Sequence, residues 1–266
     1  MNVTSDITRN MKFFLLSQKY NWKSFFVAYR AQAITWTVIQ GIGTLATIIS
    51  ISVIYSVSSG LPGWTYFQLL ALSAIAQISG GILWYFINPT YIANSMRGGG
   101  LDQLLLKPYN IIIVIFSRYS HASSIGMVIS GIALLVYALS NVKIGVYAFL
   151  TFVPAYLAGM SALIFATLAI TFASYVAFKD ANFIHWGINI AQQASQYPAA
   201  IYGMLGLTVL SIVVPMTFAS YFPAMILFGK TGYVYAASTA LIAIGISVGL
   251  YELSLHLLKR YESGGG

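Results

Sequence analysis

Cysteine is absent from the sequence and acidic residues number only five, which excludes disulfides and thiolate metal sites and leaves little material for carboxylate chemistry. Charge of any sign is scarce. Asp, Glu, Lys and Arg together make 7% of the 266 residues, against about 25% in ordinary soluble domains. Hydrophobic residues reach 59% and mean hydropathy is +0.81. Such a chain cannot cover a water-facing surface, and lipid is the solvent that suits it. The three histidines, His121, His185 and His256, are too dispersed for a metal cluster. An excess of 13 Lys and Arg over 5 acids raises the question of nucleic acid. The bases punctuate apolar segments instead of clustering on a polar domain, so no nucleic-acid partner is expected. Residues 1–10 are polar and the next stretch is amphipathic, so a cleavable signal is not expected. The terminal Ser263-Gly264-Gly265-Gly266 reads as a tag remnant, leaving one membrane domain over residues 1–262.

A hydrocarbon core of about 30 Å calls for roughly 20 apolar residues per helix. Six segments qualify: 31–57, 64–91, 112–139, 144–177, 203–228 and 233–257. The expected fold is therefore all-α and polytopic, with six transmembrane helices. With the amino terminus cytoplasmic, the inner segments hold Arg9, Lys12, Lys19, Lys23, Arg30, Arg97, Lys107, Arg118, Lys179, Lys259 and Arg260. The outer ones hold only Lys143 and Lys230, eleven bases against two. The positive-inside rule then places both termini in the cytoplasm, and the expected location is the cell's inner or cytoplasmic membrane.

Four stretches do more than span. Over residues 11–30, Lys12, Lys19, Lys23 and Arg30 share a narrow stripe at about 100° per residue. Met11, Phe14, Leu15, Trp22, Phe25, Phe26 and Tyr29 occupy a separate arc. The pattern fits a helix lying in the cytoplasmic interface with its four bases as anchors, or a terminal helix packed on a partner. After Gly98-Gly99-Gly100, residues 101–107 predict a short helix with an acid at its start and a base at its end. It either presents leucines to a cytoplasmic partner or tucks against its own bundle. Residues 181–202 are polar enough for a surface or elbow helix, or for the wall of a water-lined path. Pro215 and Pro223 bracket a segment expected near the outer face, either as re-entrant half-helices over 215–228 or as a kinked helix.

No catalytic constellation emerges. Asp6, Asp102, Asp180 and Glu262 fall in cytoplasmic segments and Glu252 near the inner end of the last span, so ion-coupled transport lacks its usual mid-membrane carboxylate. Arg118 and His121 read as interfacial anchors. No G-x-x-x-x-G-K-[ST] string is present, so the chain is not expected to bind ATP itself. Neutral polar residues inside the spans remain; Gln40, Thr44 and Gln77 are the candidates for a substrate path, although interhelical hydrogen bonding is the commoner use of such residues.

Several strings together resemble the ABC-2 type permease family, in the six-span branch associated with viologen and multidrug export. They are the basic amphipathic stretch ending at Arg30, the loop Gly100-Leu101-Asp102-Gln103-Leu104-Leu105-Leu106-Lys107-Pro108, the Tyr197-Pro198 pair and the Pro215…Phe222-Pro223-Ala224…Phe228-Gly229 block. The likeness covers about residues 10–260. It implies a permease without its own ATPase, so that ATP and Mg belong to cytoplasmic ABC ATPase subunits. It also implies a coupling helix over 97–110 in which Leu101, Asp102, Leu104, Leu105 and Lys107 meet that ATPase. An extracellular gate would lie near Pro215, Phe222 and Pro223, and the permease would work as a dimer with an identical or related copy. Export of a small hydrophobic, cationic, peptide or lipid substrate is the function so implied. A self-sufficient secondary transporter or channel, and an intramembrane lipid enzyme, are the competing classes.

Overall fold

The computed structural model describes residues 3–57 and 61–262, so the expected tag remnant and Ser58, Ser59 and Gly60 of the first outer turn lie outside the described residues. Among the described residues the chain is a bundle of helices without strands. Helix α1 (Val3–Ala28) bends at Tyr29 into α2 (Arg30–Val57), whose 28 residues are apolar almost throughout. At the next helix start, Thr65 accepts from the Gln68 backbone N–H while the Gln68 side chain accepts from that of Thr65, a reciprocal cap that opens α3 (Tyr66–Phe86). Asn88 and Pro89 then start α4 (Pro89–Arg97), which carries the second crossing on to Arg97.

The region expected as a third span is divided. Helix α5 (Asp102–Leu105) is a single turn and α6 (Ile111–Arg118) ends at Tyr119. The chain then turns, with the His121 N–H donating to the Tyr85 carbonyl at 2.8 Å. A 3-10 turn at Ala122–Ser124 leads into α7 (Ile125–Leu139). The apolar run from Ile111 to Phe116 belongs to a helix of 8 residues, about 12 Å long and far too short to cross. It packs into the core at the base-rich end, where Ile112, Val114 and Ile115 are buried.

Helices α8 (Val146–Phe178) and α13 (Tyr233–Leu258) pack along each other, as do α3 and α7. The centre is α3, with 72% of its apolar window buried against 11% for α2, which leaves α2 as an outer wall. Close approach depends on missing side chains. A Cβ placed on Gly159 of α8 would stand 1.8 Å from the Phe218 carbonyl oxygen.

The half-helices expected over 215–228 are present as two short helices after Pro215, but the start of that span, expected at 203, belongs to a bent pair that begins at Asn182. Helix α9 (Asn182–Ala194) climbs beside α3, and the chain then bends by 116° into a second apolar limb, Ala199–Val213. That limb contains α10 (Gly203–Thr208) and a π turn at Val209–Val213. It descends: Ala199 packs with Leu72 and Ile75, but Leu210 packs with Leu83 and Ile188. Pro215 reverses the chain again, and α11 (Met216–Ala219) and α12 (Tyr221–Leu227) rise toward Trp64. Among the described residues five helices are thus long and apolar enough to cross, and six if the bent pair counts as one span. Proline supplies no N–H and narrows its own φ, which accounts for the reversal. It does not stand near the outer face, as the sequence spacing implied. It sits beside Met216, which shares a cluster with Met160 at the middle of α8.

The base-rich end is fastened by polar contacts between distant segments. Arg97 donates to the Lys179 carbonyl at 2.8 Å and pairs with Asp180 at 3.2 Å, while Lys179 pairs with Glu262 at 3.5 Å. The Tyr261 hydroxyl donates to the Met96 carbonyl. At the opposite end Lys230 lies 4.6 Å from the centre of the Trp64 ring and donates to the Gly63 carbonyl.

Candidate functional site: an uncharged polar cavity

A cavity of about 740 Å³ lies between α2, α3, α9 and the turn before α7. Its origin is visible in two helical stripes. On α2 the lining residues Trp36, Gln40, Gly43, Thr47 and Ser50 recur at steps of three and four, which is one helix face. On α9 the same periodicity brings His185, Asn189, Gln192 and Gln193 onto a facing stripe, with Gln196 just beyond the helix end. Each stripe is too polar to meet lipid. Facing each other, they border a cleft that stays open to one side, with Trp36, Ser50 and Gln193 exposed.

The walls are fixed by hydrogen bonds from α3. The Gln77 Nε2 donates to Thr44 Oγ1 at 2.6 Å and to Ser130 Oγ at 2.7 Å, joining α3 to α2 and α7. The Trp84 Nε1 donates to Gln192 Oε1 at 2.5 Å, and Gln192 lies so close over α3 that a Cβ on Gly80 would stand 2.3 Å from its Nε2. Ser73 donates to the Gln196 carbonyl at 2.6 Å and Thr47 to Gln196 Oε1 at 3.2 Å, which ties α2 and α3 to the chain just beyond α9. Toward the base-rich end, Tyr91 and His121 stack with ring centres 4.9 Å apart and planes 7° from parallel. Among the described lining residues none is Asp, Glu, Lys or Arg.

Gln40 and Gln77, expected on a substrate path, both line this cavity. Thr44 is buried behind it, donating to the Gln40 carbonyl at 2.9 Å and accepting from Gln77. The facing wall comes from α9 and the residues just after it, whose polar periodicity was legible only as a surface helix or a water-lined wall. Trp36 and Trp84 carried no sequence signal that separates a cavity wall from ordinary packing. His121, read as an anchor, stands at the cavity instead.

Replacing Gln77 by leucine is expected to lower the melting temperature by a few degrees, since two interhelical hydrogen bonds are worth on the order of 1–2 kcal/mol together. Thr44→Val in that background adds little if the two act through one bond. A thermal double-mutant cycle measures the coupling, and strict additivity would count against the bond.

The leucine-rich loop is split by burial. Leu101 and Leu104 are 0% and 6% exposed, and both belong to the core with Ile92, Met96, Ile112 and Phe172. Leu105 and Leu106 are 45% and 86% exposed. Lys107 is exposed too, its Nζ 5.8 Å from the Phe13 ring centre, and Asp102 is half-buried. An ATPase contact through Leu101 and Leu104 would require the loop to leave its own core. The helix itself is one turn, shorter than the expected 101–107.

Lys12, Lys19, Lys23 and Arg30 are all exposed, and so are Met11, Leu15, Leu16 and Phe26. The remaining arc of α1 packs inward: Phe13 stacks on Tyr109 at 4.2 Å, Trp22 on Tyr85 at 5.8 Å, and Phe25 is buried. Of the residues expected at one gate, Pro215 and Pro223 are buried and Phe222 is half-buried. They do not meet. Pro215 marks the mid-bundle reversal, whereas Phe222 packs between Phe218 and Tyr235 at 5.0 and 6.1 Å.

Several long apolar helices and broken limbs within one bundle define a multi-pass membrane protein. The chain belongs to the ABC-2 transporter family, since the family model described as ABC-2 family transporter protein matches residues 42–265. No curated protein and no solved structure matches it.

Proposed function

We propose that this chain is the membrane-spanning permease subunit of an ATP-driven exporter, with ATP and Mg bound by separate cytoplasmic ABC ATPase subunits. The observation that carries this reading, beside family membership, is the exposure of Leu105 and Leu106 next to Lys107 at the end where bases gather. Large exposed leucines beside a base make an interaction surface, and on this reading it belongs to the ATPase. On the positive-inside rule that end is cytoplasmic, with both termini on the same side. The ATPase therefore meets Leu105, Leu106 and Lys107, while Leu101 and Leu104 fasten the loop to α4 and α6, so that a push on the loop moves both.

Helix α1 lies along the cytoplasmic interface, anchored by Lys12, Lys19, Lys23 and Arg30 with Met11 and Leu15 toward the acyl chains. The outer wall formed by α2 serves a second permease, identical or related, completing the dimer. The cavity receives a small amphipathic substrate, which leaves outward past the limbs around Phe222. Purification of the tagged chain from its native membranes tests the assignment: an ATP-hydrolysing subunit is expected to accompany it. Transport by the chain alone in proteoliposomes without nucleotide sinks it.

A further inference from the structure

We propose that the cavity between α2, α3 and α9 binds an uncharged, hydroxyl-bearing ring, and that the ligand it selects is a neutral glycoside. This rests on the reading of the cavity as the substrate's place in the permease, and adds the chemistry that reading leaves open.

Charge is the first selection. With no Asp, Glu, Lys or Arg among the described lining residues, an ion stripped of water finds no counter-charge there. Neutral dipoles replace an ion's water only in part, and burying a charge without a paired partner costs several kcal/mol. Aromatic faces return about 0.5–2 kcal/mol to a cation, which does not offset that cost.

Unspent hydrogen-bonding capacity is the second. The Gln40 and Gln193 carboxamides make no hydrogen bond to another described residue. Gln77 commits its amide nitrogen to Thr44 and Ser130 and leaves its oxygen; Gln196 accepts from Thr47 and leaves its nitrogen. His185 Nδ1 is buried at the cavity with no hydrogen-bond partner. A carboxamide offers donors and an acceptor side by side, the complement of a hydroxyl, which both donates and accepts. Several such groups on facing walls suit a ring bearing several hydroxyls.

Shape is the third. Trp36 and Trp84 border the same space. Trp84 is held there by Gln192 and by His185, the two ring centres 4.7 Å apart, and Trp36 is partly exposed, leaving aromatic surface for the C–H side of a sugar ring. The volume of about 740 Å³ accommodates such a ring with its aglycone, inside the usual range of about 300–1,000 Å³ for small-molecule sites.

The test holds the tail constant and varies the head. The intact chain in lipid nanodiscs is titrated with octyl glucoside, octyltrimethylammonium and octyl sulfate below their micelle concentrations. Binding is read from the emission of Trp36 and Trp84 against a Trp36→Phe/Trp84→Phe control. Octyl glucoside is expected to half-saturate at a concentration at least about tenfold below either ionic analogue. Gln40→Leu/Gln193→Leu should weaken it by about tenfold again. Gln40→Glu/Gln193→Glu, which keeps the side chains' size, should turn the preference toward the ammonium. Equal or tighter ammonium binding by the unchanged chain overturns the glycoside assignment, as does glucoside binding indifferent to both double variants. A saturable response to none of the three removes the cavity as a ligand site. ATPase co-purification is independent of all these outcomes and judges the permease reading separately.

Discussion

Leu106→Glu is expected to leave the protein folded while recovery of its ATPase in a tagged pull-down drops by about tenfold or more. Leu106 is 86% exposed, so a carboxylate there stays in water and costs the fold nothing measurable. Placed in the contact, the same carboxylate meets a partner surface that had paired with an apolar side chain. The neighbouring change, Leu104→Glu, gives the opposite result. Leu104 is 6% exposed among Met96, Leu101 and Ile112. Lost packing of a buried leucine costs about 2–5 kcal/mol, and an unpaired carboxylate in that setting adds several more. Loss of monodisperse protein on gel filtration is expected for Leu104→Glu, with loss of the ATPase following from misfolding. Thermal melts of both variants beside the pull-down separate the causes. Full ATPase recovery with Leu106→Glu, at an unchanged melting temperature, refutes the contact assigned to the exposed half of the loop.

Gly159→Leu is expected to abolish accumulation of folded protein. The atom in the way is the backbone oxygen of Phe218, 1.8 Å from the site of a Cβ, and backbone cannot rotate aside as a side chain does. Relief requires α11 to move away from α8. That segment is buried throughout, and Ser79 donates to the Ala219 carbonyl at 2.7 Å from its other side. Even Gly159→Ala is expected to lower the melting temperature by roughly 10 °C, the effect of an overpacking cost of about 3 kcal/mol in a chain of this size. Wild-type stability of the alanine variant, read by a thermal shift in detergent, contradicts the contact.

The elements legible in the sequence were those governed by one-dimensional quantities. Length and apolarity identified Arg30–Val57, Val146–Phe178 and Tyr233–Leu258 nearly to the residue. Hydropathy failed where an apolar run is core and not span: Ile111–Arg118 reads as membrane because its side chains are buried, and burial in protein and in lipid select the same residues. The same ambiguity covers the leucine-rich loop. Leu104 and Leu106 are identical letters two positions apart, and only the packing of Met96 and Ile112 distinguishes them. The cavity was half legible. Gln40 and Gln77 are conspicuous in apolar helices, but the α9 stripe gains its meaning only from facing α2 across a gap, a relation between residues about 150 positions apart such as Thr47 and Gln196.

The doubly reversed path between Asn182 and Leu227 has a consequence for how the protein is made. No piece of α10, α11 or α12, at six, four and seven residues, is long enough to partition from a translocon into lipid by itself, where about 20 residues are needed. Its unpaired backbone groups need a protein surface that already exists. The ribosome completes α3 and α8 earlier than this region, and those are the helices on which the limbs rest. Integration of this stretch therefore follows assembly of its neighbours, and a defect in α3 or α8 should strand it at the aqueous edge for degradation during biogenesis.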